Sequence, residues 1–246
     1  MKRTSLCCLG LAVLLASGVT AVFAEPVGIF EDHQDIFLTY DRLGADGGAE
    51  YDAASDTYTI WGSGWDVWDA DDAFHFVYSQ ISGDFMLDAV GAFIVEQTTN
   101  YDAQDWIKIM LMARQDLDPD SVNYTTRIRK DGQFSWQLRP EKGENGSSTP
   151  GEERVVLGLN SDGEGLNLPE WNMRLERVGN ALTAQYMDET GAWVQLGAVQ
   201  EVPMDDPLYV GIGVCSHDAG QVCYTTITNV KLTPISTSVT DWEIFE

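Results

Sequence analysis

The chain has 246 residues, of which 39 are acidic and 14 are basic, and its formal net charge is −25. So strong a negative charge argues against binding to nucleic acid or to anionic membrane surfaces, and it suits solubility, a salty medium or divalent cations. Beyond the N-terminal segment, no stretch approaches the roughly 20 apolar residues of a membrane-spanning helix.

Residues 1–24 are predicted to be a secretory signal peptide. Lys2 and Arg3 form a short basic start, an apolar run covers residues 9–16, and residues 22–24 offer small side chains at the positions that a signal peptidase reads. The pattern therefore predicts a protein that is secreted or periplasmic.

The rest of the chain is predicted to form one large domain at residues 25–235, followed by a C-terminal tail at residues 236–246. All-β sandwiches often reach ~200–250 residues as a single unit. The last residues could either add a strand at the edge of a sheet or form a loose tail.

About a dozen short strands follow one another along this domain, with turn residues between them. β-branched and aromatic residues dominate each run and alternate with smaller or polar residues. The predicted strands are 57–61, 73–80, 85–95, 106–114, 122–130, 133–139, 153–159, 171–178, 182–187, 193–199, 208–217 and 222–232. No stretch combines helical periodicity with caps. The pattern predicts an all-β, two-sheet antiparallel sandwich of the jelly-roll type.

Two cysteines, Cys215 and Cys223, lie outside the predicted signal peptide. If their strands form a hairpin around Ala219, the two cysteines are directly opposed, share a face and have Cβ atoms close enough for a disulfide. Export favours oxidation. We therefore predict a Cys215–Cys223 disulfide that staples a hairpin, with two buried free thiols as the alternative.

A segment rich in tryptophan and aspartate separates the first two of these strands. Its members are Trp65, Asp66, Trp68, Asp69, Asp71 and Asp72. Flexible loops can offer Ca²⁺ the oxygens that it requires, so the four aspartates are a candidate calcium site. Trp65 and Trp68 could form a stacking platform for a sugar. In the alternative, the aspartates are solvated and the tryptophans cap one end of the sandwich.

Basic residues are few, and several of them fall on two neighbouring strands. Alternation places Lys108 and Arg114 on one face with Trp106, and it places Arg127 and Arg129 together on a face of the next strand. If both rows point outward from one sheet, they form a basic, partly aromatic groove suited to carboxylate, sulfate or phosphate. In the alternative, these side chains pair with nearby aspartate and glutamate.

His75 lies in the aromatic strand AFHFVY and is a further candidate for ligand contact, although a structural role is the more common one for such a histidine. No zinc-ligand spacing and no nucleophile elbow occur. The sequence therefore offers no catalytic motif.

Five segments carry a resemblance to a known family: EYDAASDTYTIWGSG, AFHFVYSQISGDF, IKIMLMARQDLD, EWNMRLERVGNALTAQYMDETGAWVQLG and YVGIGVCSHDAGQV. In this order they resemble secreted bacterial concanavalin A-like (laminin-G-like) jelly-roll domains. With FEDHQDI at residues 30–36, the chain looks especially similar to the domain that precedes TolB-like propellers in proteins labelled biopolymer transporter Tol. The resemblance implies a two-sheet sandwich with one concave face, and it implies no agreed catalytic motif.

The leading interpretation is an exported, noncatalytic sandwich that binds glycan or another extracellular polymer, including an anionic one. The candidate ligand-binding residues are Trp65, Trp68, His75, Trp106, Lys108, Arg114, Arg127 and Arg129. Two alternatives stay open at this point: a glycan hydrolase or lyase on the same fold, and a structural or accessory envelope protein that docks a protein partner.

Overall fold

The computed structural model describes residues 25–150, 153–157 and 170–236. The predicted signal peptide, and the predicted tail beyond its first residue, lie outside the described residues. Within these ranges, no helix is long and apolar enough to cross a membrane.

The described residues are almost entirely strand and loop, with a short helix α1 (Tyr40–Leu43) and one 3-10 turn (Val95–Gln97). The strands are β1 (Asp32–Ile36), β2 (Gly48–Asp52), β3 (Thr57–Gly62), β4 (Phe74–Ile81), β5 (Phe85–Phe93), β6 (Lys108–Arg114), β7 (Asn123–Arg129), β8 (Gln133–Arg139), β9 (Ser147–Ser148), β10 (Val155–Val156), β11 (Trp171–Val178), β12 (Ala181–Met187), β13 (Trp193–Gln195), β14 (Gln200–Glu201), β15 (Leu208–Cys215) and β16 (Cys223–Pro234).

The strands form two antiparallel sheets. The front sheet has the order β1-β4-β15-β6-β7-β8-β10, with β9 paired to β8, and the back sheet has the order β13-β12-β11-β5-β16-β3-β2, with β14 paired to β12. Some neighbouring strands are consecutive in the chain, such as β6-β7-β8 and β11-β12-β13, and others, such as β4-β15 and β5-β16, come from distant parts of the chain, which repeatedly crosses from one sheet to the other. The predicted all-β, two-sheet jelly-roll sandwich is confirmed.

The hydrophobic core lies between the two sheets. Ile109 and Leu111 of the front sheet are fully buried in the same cluster as Leu87, Met173 and Leu175 of the back sheet. Burial of each such side chain contributes about 1.5–3 kcal/mol to folding. Side chains alternate along a strand. The residues of β6 and β7 that point into this core therefore determine which residues of the two strands point to the outer face of the front sheet.

The hairpin of β7 and β8 turns at Asp131-Gly132, as the sequence predicts. Gly132 has φ 77°, which glycine adopts without the steric cost that a Cβ would bring. The turn sets the register of the pair, in which Arg127 lies directly opposite Ser135. This register matters below, because Ser135 holds one edge of the Arg127 guanidinium.

The predicted hairpin at residues 208–232 is wrong. β15 lies in the front sheet between β4 and β6, whereas β16 lies in the back sheet between β5 and β3. The intervening residues therefore carry the chain from one sheet to the other, and Cys215 and Cys223 are not partners across a ladder. Both are buried free cysteines, so the predicted disulfide is wrong as well.

The free thiols lead to a chemical expectation. Burial raises the pKa of Cys215 to about 12 and raises that of Cys223 as well, so almost no thiolate exists at neutral pH. The test uses the protein without residues 1–24, purified in the absence of a reductant. A thiol reagent should react slowly with the native protein and should label both cysteines after unfolding. If the unfolded, unreduced protein contains no reactive thiol, the result would instead support the predicted disulfide.

Candidate functional site

The two basic rows do share one face of the front sheet. In the register of β6 and β7, Lys108 pairs with Arg129 and Met110 pairs with Arg127. Arg114 lies four residue pairs beyond Met110, opposite Asn123, whose partner on β8 is Arg139. All these side chains point away from the back sheet, because the residues that alternate with them fill the core.

The rows are nevertheless buried, and this differs from the expected open groove. Lys108 and Arg114 are 0% exposed and Arg127 is 2% exposed. The cause is the segment at residues 63–72, named here the cover loop, which crosses over the outer face of the front sheet. It contains the tryptophans and aspartates that the sequence singles out.

Hydrogen bonds fasten the cover loop to the strands beneath it. The Trp68 carbonyl accepts from the Gly146 amide at 2.6 Å, and the Val67 carbonyl accepts from the Gln137 side-chain amide. The amide of Asp72 donates to the Pro119 carbonyl at 2.8 Å. The loop is therefore a fixed part of the fold, held at several points along its length.

Asp72 neutralises the inner end of the basic face. It is completely buried, and its Oδ1 accepts a hydrogen bond of 2.5 Å from Arg139 Nη2, while its Oδ2 lies 3.4 Å from Arg114 Nη2. Burial raises the pKa of the Asp72 carboxyl, and the two guanidinium charges act in the opposite direction. A single carboxylate thus serves two buried arginines.

Asp66 neutralises Lys108 at the other end of the loop. It pairs with the Lys108 ammonium, and its Oδ2 lies 2.9 Å from Nε2 of His217. Burial alone would raise the pKa of Asp66, but the Lys108 charge and the His217 hydrogen bond together lower it well below its usual range. Asp66 is therefore ionised, and its charge is already balanced.

The predicted calcium site is not assembled by this geometry. Asp66 and Asp72 are committed to basic side chains, Asp71 lies 3.1 Å from Nε of Arg42, and Asp69 is exposed. Across the described ranges, no group of three or more His, Cys, Asp or Glu side chains is placed to hold a metal ion. The sequence shows where the aspartates are and not which cations face them.

A pocket of about 320 Å³ opens where the cover loop stops covering the sheet. It is lined by Asp66, Trp68, Trp106, Arg127, Ser148, Arg154 and His217. Trp68 and Trp106 are 37% and 39% exposed, so each offers part of its ring system to solvent. Two aromatic surfaces, two guanidinium groups and an Asp–His pair thus converge on one cavity.

Arg127 is the most unusual member of this pocket. Its Nε donates to Ser135 Oγ at 2.8 Å, but no carboxylate among the described residues pairs with its guanidinium. Burial lowers the pKa of Arg127 to about 10, which still leaves it charged at neutral pH. The Asp66 charge favours the cationic form of Arg127 from beyond ion-pair distance. Burial of a cation without a close anion is costly, and a ligand anion on the guanidinium would offset that cost.

Arg154 is a second guanidinium in the pocket without a carboxylate partner among the described residues. Its Nε donates to the Thr149 carbonyl at 3.1 Å and its Nη2 donates to Ser148 Oγ at 3.0 Å. Both arginines are therefore oriented by neutral oxygens, and within the described residues neither guanidinium forms an ion pair with a carboxylate.

Trp106 and His217 form the opposite wall. The Arg129 guanidinium lies 4.0 Å from the centre of a Trp106 ring, and the His217 ring stacks near it with centroids 5.9 Å apart. His217 has φ 57°, a left-handed conformation that is uncommon outside glycine. Such strain tends to concentrate at functional sites.

The structure brings together only part of the predicted set. Trp68, Trp106 and Arg127 line the pocket, and Lys108 and Arg129 lie directly behind its walls. Trp65 is 51% exposed but lies outside the pocket, and Arg114 is sealed beneath the cover loop.

His75 does not fit the predicted ligand contact. It is buried near β1, where its Nδ1 lies 2.8 Å from Asp35 and its Nε2 lies 3.1 Å from Nδ1 of His33. Both ring nitrogens are occupied by protein groups, so the side chain is structural.

Three pocket residues were not predicted: Ser148, Arg154 and His217. Arg154 and Ser148 come from short strand segments next to a Gly- and Ser-rich stretch, where alternation gives no face. His217 follows β15, and its approach to Asp66 depends on the crossing between sheets that the sequence-based hairpin excluded. The scarcity of histidine and arginine in the chain was the one signal available.

Neither a protein-family model nor a curated protein sequence matches the chain. Solved structures do match over most of its length. A functionally unknown protein from Saccharomyces cerevisiae is 15% identical with a TM-score of 0.56, and the match covers 82% of this chain and 98% of that one. This likeness concerns the fold.

Two further matches have sugar-related names. An alginate lyase from Klebsiella pneumoniae is 11% identical with a TM-score of 0.48, covering 83% of this chain and 95% of that one. The carbohydrate-binding module CBM66 from Bacillus subtilis is 10% identical with a TM-score of 0.46, covering 81% and 96%. At these sequence identities and TM-scores, neither match supports an argument about the ligand of this chain.

Proposed function

We propose that this protein is an exported, noncatalytic β-sandwich that binds an acidic glycan in the pocket between Trp68 and Trp106. The observation that carries the proposal is Arg127, a buried and charged guanidinium without a carboxylate partner among the described residues, at the pocket wall. In a chain with a net charge of −25, a buried guanidinium that forms no ion pair with the described carboxylates supports an anionic ligand at this place.

The chemistry of the pocket defines the ligand class. Arginine presents a planar fork that matches carboxylate and sulfate oxygens, and two of them face one cavity here. Exposed indole rings stack against the apolar faces of sugar rings. An acidic sugar, a uronate or a sulfated residue, presents both features at once. Export to the periplasm or the cell exterior, where such polymers occur, is part of the proposal.

Binding to purified polymers tests the proposal. Polygalacturonate, a sulfated polysaccharide and a neutral glucan are titrated into the protein, with intrinsic tryptophan fluorescence as the signal. The acidic polymers should bind and the neutral glucan should not. Trp106→Ala should weaken binding by about tenfold, an amount that corresponds to about 1.4 kcal/mol, while Trp65→Ala, outside the pocket, should leave it unchanged.

Equal binding of the neutral glucan would contradict the role of Arg127, and failure of every polymer to bind would contradict the proposal as a whole.

A glycan lyase is the second candidate, and one observation favours it. His217 lies 2.9 Å from Asp66 in the same pocket as Arg127. β-elimination needs a cation on the uronate carboxylate, a base that takes the C5 proton and an acid that protonates the departing glycosidic oxygen; Arg127 is a candidate for the first role, and His217 for taking the proton and returning it to the departing oxygen. The titrations above decide between the two, because a lyase would accumulate unsaturated uronate, whose ultraviolet absorbance rises with time, and a binding protein would give a stable signal.

A further inference from the structure

Most of the outer face of the front sheet is filled by the protein itself. Beneath the cover loop, Phe74, Phe76 and Met110 pack with Val67, which is buried at the centre of a second hydrophobic cluster. Val67 also forms an isolated β-bridge with Asp72, which closes the tip of the loop. The face that would form an open groove in a bare sandwich is thus a second small core.

The cover loop also occupies the anion positions along the basic face. The Asp72 carboxylate lies where an acidic ligand would contact Arg114 and Arg139, and the Asp66 carboxylate lies where it would contact Lys108. The loop therefore places its own acidic groups along the row at the spots that a bound polyanion would fill. Arg127 lies between these positions in the register, and among the basic residues that the structure describes on this face it is the one without an ion pair to a carboxylate.

The cover loop is also anchored beside the pocket, and this contact closes one side of the pocket. The carbonyl of Trp68, a pocket residue, accepts the hydrogen bond from Gly146, and a Cβ added to Gly146 would lie 2.5 Å from this oxygen. The backbones are therefore in direct contact, with no room for a sugar chain to pass between them. A ligand that enters at Arg127 meets the cover loop and cannot continue over Arg114.

We infer that the pocket takes the end of an acidic glycan chain, with the carboxylate or sulfate of the terminal sugar on Arg127, rather than an internal stretch. The inference rests on the proposed function and adds the part of the polymer that is recognised. A volume of about 320 Å³ agrees with it, because sites for small ligands begin at about 300 Å³.

Counting binding sites on a polymer before and after it is cut tests the inference. A fixed mass of polygalacturonate is partly hydrolysed with acid, and the protein bound at saturation is measured for the intact and the cut material. Recognition of chain ends predicts that capacity rises in proportion to the number of ends. Affinity per molecule should also change by less than about threefold from the disaccharide to the hexasaccharide, since one end presents one site.

Capacity that depends only on the mass of polymer, with several proteins on each long chain, would overturn the inference while leaving the proposed function intact. Absence of binding to intact polymer, cut polymer and monosaccharide alike would instead overturn the proposed function. Arg127→Met serves as the control, because capacity that survives this substitution does not come from the pocket and counts against both.

Discussion

Replacing Asp72 by alanine is expected to lower the free energy of unfolding by about 3–5 kcal/mol, because it leaves two buried arginines without their counterion. Arg114 and Arg139 are both within ion-pair distance of this carboxylate, and all three side chains are almost fully removed from solvent. Water cannot replace the lost charge. The remaining hydrogen-bond partners of the two guanidinium groups are neutral: backbone carbonyls and the sulfur of Met112.

The measurement is chemical denaturation followed by tryptophan fluorescence. Asp69→Ala is the matched control, since Asp69 belongs to the same loop but has an exposed side chain, and only its backbone carbonyl contacts Arg139. This control should change stability by less than about 0.5 kcal/mol. A similar small effect for Asp72→Ala would mean that the two arginines do not depend on this carboxylate.

Arg127→Met is expected to separate binding from stability. Loss of a charge-assisted contact of about 1.5–3 kcal/mol should weaken binding of an acidic glycan by about 10–150-fold. The free energy of unfolding should stay level or rise, because methionine removes a buried cation whose charge no described carboxylate balances. The freed Ser135 hydroxyl offsets part of that gain, as Nε of Arg127 is its partner.

Arg114→Met provides the contrast on the neighbouring strand. Arg114 is equally buried, but it faces Asp72 and donates to the carbonyls of Asp116 and Asp118. Its loss should destabilise the protein and should leave the pocket chemistry in place. If Arg127→Met destabilises as much as Arg114→Met and binding is unaffected, then Arg127 is a structural residue and not a ligand contact.

The sequence predicts the sheets better than it predicts what covers them. Alternation correctly groups Lys108 with Arg114 on β6 and Arg127 with Arg129 on β7, because the pleat of a strand fixes side-chain direction locally, and the register shows that the two groups share one face. Burial of that face depends on a loop that starts more than thirty residues earlier and on hydrogen bonds to Gly146 and Gln137. No local pattern encodes such a contact, so the rows looked exposed.

The cysteine error has a related physical origin. Strands that flank a short connection show the same alternation whether they pair in one sheet or face each other across two sheets. The turn residues decide between these arrangements, and here His217 and Gly220 both adopt positive φ, which carries the chain across the sandwich. The sequence likewise does not show which cations face the loop aspartates, since Lys108 pairs with Asp66, and Arg114 and Arg139 lie at Asp72.

The uncovered cation at Arg127 lies in a body whose net charge is −25. At physiological ionic strength, charges interact over about 8 Å before counterions screen them. A long polyanion lying along the surface would feel repulsion over its whole length, whereas a chain end brings only its last few charges within that range. The acidic charge of the protein and the cationic pocket at Arg127 together therefore select short chains and chain ends, and a higher ionic strength should allow longer chains to approach.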